Sequence, residues 1–205
     1  MDFSLNGIVS AFLQMSAWEG LAVLFGIAYI LLAAKESLWT WLFAFLSTII
    51  YTVLFWEGAL VSSSLLNFYY MVMAVYGFIL WRSGGESGEE LKVTRWSLKT
   101  NITLILFGII LTTILGYLSD TYTKANFAYL DTFVMVFSGI ATWMLAKKVL
   151  ENWIYWVIID STAIVLYWKS GYLATIVLFT LYVILAIYAY YSWFKAYSVE
   201  LSSED

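Results

Sequence analysis

A lone aspartate in an apolar stretch rich in tryptophan is the part of this sequence most able to do chemistry. The segment ENWIYWVIID places Trp153, Trp156 and Asp160 three and four residues apart, and therefore on one face of a helix. Tyr167 continues this face two turns later. A carboxylate halfway across a lipid bilayer costs roughly 2.5–3.5 kcal/mol, so it should face a cavity or a partner. Because aromatic faces and a carboxylate both attract positive charge, this face predicts a site for a flat organic cation.

Asp160 also has a purely structural interpretation, in which it hydrogen-bonds to a Ser, Thr or Tyr of a neighbouring helix and only holds the bundle together. The same two interpretations apply to other polar and aromatic side chains within apolar stretches. The combination of an acid with aromatic residues on one face favours a binding site. The remaining candidate substrate-binding residues are Asn152, Asn67, Tyr70, Trp41, Ser47, Thr48 and Tyr182.

The composition predicts an all-α polytopic membrane protein. The chain has 205 residues, of which 63% are hydrophobic and 12% are charged, whereas about a quarter of the residues in a soluble domain are charged. Apolar windows of about 20 residues recur, and each is long enough to cross a bilayer as a helix. The sequence has no His and no Cys, which removes the commonest general base and any thiolate. We therefore expect neither an enzyme nor a bound metal or cofactor.

Seven apolar segments are predicted to be membrane-spanning helices. Tryptophan or tyrosine lies at many of their ends, as in the aromatic belts of membrane proteins. The predicted spans are Trp18–Ala34, Leu38–Phe55, Val61–Trp81, Asn101–Leu118, Tyr129–Ala146, Asn152–Trp168 and Tyr172–Phe194.

The distribution of basic residues predicts the orientation of these spans. Of the 10 Lys and Arg residues, 8 fall in the loops and terminus on one side of the predicted membrane and 2 on the other. Cytoplasmic loops carry the excess of positive charge, so we expect the N-terminus outside and the C-terminus in the cytoplasm of a cell whose inner (plasma) membrane holds the protein.

An internal repeat is predicted when the chain is aligned with itself at an offset of 112 residues. Without a gap, Glu19 then aligns with Asp131, and three tryptophans align with three others. This predicts two parallel three-helix repeats joined by a central helix, a 3+1+3 arrangement that resembles the SWEET transporters. The predicted segments are an N-terminal lead-in (1–16), the first repeat (17–82), a linker with the central helix (83–128), the second repeat (129–195) and a C-terminal tail (196–205).

Three stretches, ENWIYWVIID, the following VLYW and the repeat sequence NFYYMVMAVYGFILW, resemble the Pnu vitamin transporters, and the resemblance covers residues 17–195. It implies a SWEET-like fold and facilitated diffusion without ion or ATP, with the vitamin trapped by a cytoplasmic vitamin kinase. The expected partners are then a small-molecule vitamin and the lipid bilayer, and no nucleic acid is expected. A homo-oligomer is left open.

The resemblance also implies roles for individual residues. Asn152, Trp153 and Trp156 match the family's motif in the sixth span, and Asn67 stands where nicotinamide riboside transporters tend to have an amide. Asp160 and Ser47 stand where such transporters often have Asn. Because an acid suits both the thiazolium and the aminopyrimidine of thiamine, these departures favour thiamine as the substrate, with nicotinamide riboside as the alternative.

Other classes of seven-helix protein fit the sequence less well. A retinal protein needs a Lys in the last span, and Tyr172–Phe194 has none. A channel needs rings of charge or a carbonyl filter, whereas aromatic walls favour a bulkier solute. An ion-coupled transporter of a nucleoside-like solute is the nearest rival, although Asp160 is the only acid deep within a predicted span.

Overall fold

The structure is a computed structural model that describes residues 4–57, 61–84, 91–123 and 126–204, and these residues form eight helices. Helices occupy all seven predicted spans, and a short further helix lies within the predicted lead-in. Their bounds are α1 (Leu5–Leu13), α2 (Ala17–Ala34), α3 (Thr40–Glu57), α4 (Val61–Ser83), α5 (Leu98–Tyr122), α6 (Ala128–Ala146), α7 (Asn152–Ser170) and α8 (Leu173–Glu204).

Six of the helices in the described ranges are long and apolar enough to cross a membrane, namely α2 to α6 and α8. The helix α7 has 19 residues but falls outside this group, because Asn152, Asp160 and Lys169 lower its hydropathy. It contacts α6 on one side and α8 on the other. Polar residues are tolerated in such a helix, since neighbouring helices rather than lipid surround them.

Helix contacts close a ring of six helices. In order, α2 contacts α3, α3 contacts α4, α4 contacts α6, α6 contacts α7, α7 contacts α8, and α8 returns to α2. The helix α5 lies outside this ring and packs mainly against α6, while Tyr155 of α7 donates to the Asn101 carbonyl of α5 at 3.3 Å. The outer face of α5 is exposed and apolar. Any group placed at the centre of this ring is therefore shielded from lipid by six helices.

The helices α2 and α6 end in the same way at positions 112 residues apart. Glu36 and Lys148 both have positive φ values, 54° and 51°. The backbone N–H of Ser37 donates to the Leu32 carbonyl, as that of Val149 donates to Met144, in both cases at 3.0 Å. Two matching Schellman motifs thus terminate these helices and direct the chain into α3 and α7.

Four tryptophans fill the interior at this end of the ring. Trp41 meets Trp81 edge-on at 5.2 Å between ring centroids, and Trp153 meets Trp193 in the same manner at 5.4 Å. Trp81 and Trp193 then approach each other at 6.1 Å. The contacts link one set of helices, α2–α4, with a second set, α6–α8, so tryptophan seals this end of the bundle.

The same tryptophans also bond across the two sets. The indole nitrogen of Trp81 on α4 donates to the carbonyl of Ala146 on α6 at 3.0 Å. That of Trp193 on α8 donates to the carbonyl of Ala33 on α2 at 2.8 Å. Each set therefore donates a hydrogen bond to a carbonyl at the C-terminal end of a helix in the other set, and the Ala33 carbonyl also accepts from the backbone N–H of Glu36 at 2.9 Å.

The segment before α5 is fastened to the turn between α6 and α7. Thr94 forms a single parallel bridge with Val149. Glu151 accepts hydrogen bonds from Arg95 Nε at 2.9 Å and from the backbone N–H of Trp96 at 3.1 Å. The bond to Glu151 raises the pKa of Arg95 above its ordinary value. Part of the predicted linker, residues 85–90, lies outside the described residues, and the predicted tail continues α8 as far as Glu204.

Candidate substrate-binding site

Asp160 is a buried carboxylate without a bonding partner. It lies midway along α7 and is only 4% exposed. No hydrogen bond or ion pair links it to any residue within the described ranges. It faces the ring interior, since it lies close enough to interact electrostatically with Tyr29 of α2, Tyr70 of α4 and Tyr182 of α8. The interhelical bond of the structural interpretation is thus not present, and the carboxylate is left available to a ligand.

Three tyrosines from three helices surround the carboxylate and differ in what lies beside their hydroxyls. Tyr70 of α4 lies near the hydroxyl-bearing side chain of Ser138 on α6. Tyr182 of α8 lies beside Gly26 of α2, where a β-carbon built on that glycine would be 3.1 Å from the tyrosine oxygen. Within the described part of the chain, no hydrogen bond is formed by the hydroxyls of Tyr182 and Tyr29.

An aromatic wall continues from Tyr182 away from the tryptophan-filled end. The ring of Tyr182 lies 5.6 Å from that of Phe179, and Phe179 lies 5.3 Å from Tyr167 on α7. Tyr167 also lies within electrostatic range of Tyr70. Tyr167, Tyr70 and Tyr182 thus lie on the helices around Asp160, and a shared substrate site for them stays a prediction.

Ser47 and Thr48 lie on α3, but their hydroxyl protons are already used by the backbone. Ser47 Oγ donates to the Ala22 carbonyl of α2 at 2.9 Å. Thr48 Oγ1 donates to the Ala44 carbonyl of its own helix at 2.8 Å. Ser47 lies close to Gly26, with its oxygen 3.7 Å from a β-carbon built there, so it borders the tyrosine cluster. Either residue can offer a ligand only a lone pair.

Trp153 and Trp41 were expected to line the site, but they lie in the tryptophan cluster described above rather than beside Asp160. Both are 2% exposed. Asn152 is fully buried, and its side-chain nitrogen donates to the Val149 carbonyl at 2.7 Å. The reason is depth: these residues begin α3 and α7, whereas Asp160 lies two turns deeper. Trp156 is half-buried one turn before Asp160 and packs against two apolar clusters, one that contains Trp153 and one that contains Phe137. Asn67 is half-buried one turn before Tyr70.

Sequence reasoning missed Tyr29, Ser138 and Gly26. A signal for two of them was present, because Gly26 and Ser138 align at the 112-residue offset and directly follow the aligned Phe25 and Phe137. No pattern indicated Tyr29, since a single tyrosine in an apolar helix of an aromatic-rich chain is not distinctive.

Two surface grooves in the described structure lie away from this cluster. One, of about 420 Å³, is lined by Lys35, Glu36 and Lys195 near the tryptophan-filled end. The other, of about 620 Å³, is apolar and lies between α1 and α2 near Phe12 and Leu21. Neither contains a predicted site residue.

Comparison with known proteins decides the family. The sequence pattern of the family described as "Nicotinamide mononucleotide transporter" matches residues 16–195, most of the chain. The chain belongs to the nicotinamide mononucleotide transporter family. The resemblance to Pnu transporters is thereby confirmed, and the protein is a multi-pass membrane protein of a transporter family.

Individual members of the nicotinamide mononucleotide transporter family are distant in sequence. The nicotinamide riboside transporter PnuC of Escherichia coli is 21% identical over 183 residues, which cover 77% of each chain. The riboflavin/roseoflavin transporter RibM of Streptomyces davaonensis is 24% identical over 173 residues, which cover 82% of this chain and 80% of RibM. A crystal structure of the vitamin B3 transporter PnuC superposes with a TM-score of 0.73 at 21% identity and covers 94% of this chain and 86% of that one. This likeness establishes the fold.

These names bear on the predicted substrate. The PnuC relative is named for nicotinamide riboside, the alternative of the sequence analysis, and RibM for riboflavin, whereas thiamine, which the sequence analysis preferred, is not supported by these names. The preference for thiamine depended on Asp160 replacing an amide, yet a carboxylate is compatible with any cationic vitamin. One charge therefore specifies a class of substrate rather than a particular vitamin.

Proposed function

We propose that this protein transports nicotinamide riboside across the membrane as a facilitative carrier. The observation that supports the proposal most directly is the buried Asp160 carboxylate, which has no bonding partner among the described residues. It lies within electrostatic range of the hydroxyls of Tyr29, Tyr70 and Tyr182. The pyridinium ring of nicotinamide riboside carries a positive charge that would compensate the carboxylate, and aromatic side chains bind the faces of such cations. Its ribose and carboxamide offer donors and acceptors for the tyrosine hydroxyls.

Riboflavin is the second candidate, since RibM aligns with 82% of this chain. Its ring system is uncharged, so it would leave Asp160 without a counter-charge. Burying a carboxylate beside a neutral ligand is unfavourable unless the ligand donates hydrogen bonds to it. This difference makes the dependence of binding on Asp160 a test of substrate class as well as of the site.

For the transport mechanism, we propose alternating access between two three-helix units, α2–α4 and α6–α8, with α5 as the connecting helix of a SWEET-like 3+1+3 arrangement. The support comes from matching contacts: α2 meets α8 as α6 meets α4, and Trp81 and Trp193 bond reciprocally across the units. Such a pair of units can rock against each other around a central site while each remains intact.

In this proposal the tryptophan-filled end faces the cytoplasm, and the carrier resides in the inner (plasma) membrane. The excess of Lys and Arg lies on that side, as the positive-inside rule requires. Net uptake then needs no ion gradient, provided that a cytoplasmic kinase phosphorylates the vitamin after entry and so prevents its return.

Uptake into liposomes that contain the purified protein tests the proposal. Labelled nicotinamide riboside should enter, and unlabelled nicotinamide riboside should compete better than thiamine or riboflavin. The Asp160→Asn variant should bind roughly 10- to 100-fold more weakly, the loss typical of a hydrogen bond to a charged group. Thiamine or riboflavin flux without riboside flux would reject this substrate, and unchanged affinity in Asp160→Asn would reject the site.

Ion coupling is examined in the same liposomes. Collapse of the proton and sodium gradients with ionophores should leave the initial rate of riboside uptake unchanged. Abolished uptake would instead support the ion-coupled alternative.

A further inference from the structure

The two halves of the polar cluster differ at positions that the 112-residue offset pairs. Tyr70 and Tyr182 form one such pair, and Ser138 and Gly26 form another. Tyr70 faces the hydroxyl-bearing side chain of Ser138 across the α4–α6 contact. Tyr182 meets Gly26 across the corresponding α8–α2 contact, where no side chain is present to bond with it. One tyrosine thus has a serine hydroxyl beside it, while its counterpart has only a glycine.

A second pair of positions differs in the same way. Thr48 and Asp160 align at this offset. Thr48 donates its proton to the Ala44 carbonyl at 2.8 Å, whereas Asp160 is 4% exposed and forms no bond with the residues that the structure describes. The groups without a bonding partner, Asp160 and the Tyr182 hydroxyl, come from adjacent helices α7 and α8 and interact electrostatically. Because buried polar groups are normally hydrogen-bonded, the Asp160 carboxylate and the Tyr182 hydroxyl require hydrogen bonds from a molecule outside the chain.

We propose that Gly26 determines substrate recognition by leaving the Tyr182 hydroxyl free to hydrogen-bond the uncharged, hydroxyl-bearing part of the vitamin while Asp160 holds its cationic ring. This rests on the proposed function. Gly26 acts by having no side chain. The β-carbon of a serine at this position would lie 3.1 Å from the Tyr182 oxygen, and the serine hydroxyl would compete with the ligand for the Tyr182 hydroxyl. Tyr182 is therefore the orienting residue, and Gly26 acts through it.

Exchange of the two small residues supplies the test, with binding of nicotinamide riboside to the full-length protein measured by titration in nanodiscs. Gly26→Ser should raise Kd about tenfold, since a typical intramolecular hydrogen bond replaces one to the ligand. It should not lower the melting temperature, because serine is a better helix former than glycine. The matched variant Ser138→Gly should bind no more weakly than the wild type, because it removes a hydroxyl beside Tyr70 and no bond to the ligand.

A double variant separates an effect through Tyr182 from a local disturbance. Tyr182→Phe should raise Kd about tenfold, and Gly26→Ser combined with Tyr182→Phe should bind no more weakly than Tyr182→Phe alone. Wild-type affinity in Gly26→Ser, an equal loss in Ser138→Gly, or additive losses in the double variant would each overturn the inference.

Failure of the proposed function has a different signature. A wild-type protein that binds only thiamine or riboflavin rejects nicotinamide riboside as substrate. The same four variants are then titrated with the vitamin that does bind, and the same comparisons decide the role of Gly26. A wild-type protein that binds none of the three vitamins overturns both proposals.

Discussion

Glu36 and Lys148 lie 112 residues apart in the chain, at equivalent positions after α2 and α6, and their side chains meet in an ion pair of 2.8 Å. Lys148 is buried, and its ammonium also lies 4.9 Å from the centre of the Trp81 ring. The pair joins the first three-helix set to the second at the end that the four tryptophans seal. Any motion that opens this end of the ring must separate these two charges.

We expect a cross-link between positions 36 and 148 to stop transport. The chain has no native cysteine, so Glu36→Cys with Lys148→Cys can be treated with a short bifunctional thiol reagent without background. Alternating access requires this end to open, and the covalent link would prevent it. Uptake of nicotinamide riboside should fall to the level of empty liposomes, while binding persists in a titration.

Each single-cysteine variant treated with the same reagent is the control for chemical modification. Extensive cross-linking with unchanged uptake would show that positions 36 and 148 stay together during transport, as at a pivot, and would contradict the prediction.

Replacement of tryptophan by phenylalanine should separate two kinds of buried indole. Trp81 donates to the Ala146 carbonyl at 3.0 Å, whereas the indole nitrogen of Trp41 is buried and has no partner in the described structure. Both variants lose similar apolar area, but only Trp81→Phe leaves a buried carbonyl unpaired, at a cost of roughly 1–3 kcal/mol. Trp81→Phe should therefore melt at a lower temperature than Trp41→Phe.

Trp193 and Trp153 give a weaker form of the same comparison, because the Ala33 carbonyl also accepts from the backbone N–H of Glu36 at 2.9 Å. Trp193 donates to the Ala33 carbonyl, and the Trp153 nitrogen is unpaired among the described residues. Thermal unfolding in detergent should rank Trp193→Phe below Trp153→Phe. The opposite order in both sets would mean that ring packing, rather than the hydrogen bond, determines stability here.

Alanine at Gly108 should weaken the contact between α5 and α6. A β-carbon there would lie 2.6 Å from Cζ of Phe137, so the ring or the helix must move, which typically costs about 1–3 kcal/mol. Gly20 on α2 is the matched control, because nothing lies within 4 Å of a β-carbon at that position. Gly20→Ala should be neutral or stabilising by up to about 1 kcal/mol. Equal melting temperatures for the two variants would show that α5 does not depend on close packing at Gly108.

The helices could be predicted because a bilayer demands about 20 consecutive apolar residues of any helix that crosses it. The segment containing Asp160 illustrates both the strength and the limit of this reasoning. Its helix was predicted within two residues at its C-terminal end, Trp168 against Ser170. The cost of placing a carboxylate in lipid also predicted correctly that Asp160 faces the interior. The vitamin that it contacts could not be predicted, because one charge is compatible with several cations.

Spacing along a helix determines which side chains share a face, and by itself the sequence determined that Trp153, Trp156 and Asp160 do so. It does not determine which neighbour covers each level of that face. Only the tertiary structure decided that Trp153 packs against Trp193 at the sealed end, and that Asp160, two turns deeper, meets tyrosines from three other helices. The physical reason is that helix formation depends on local backbone and apolar periodicity, whereas the surroundings of a side chain depend on residues of other helices, here Tyr182, Tyr70 and Tyr29 at 22, 90 and 131 positions from Asp160.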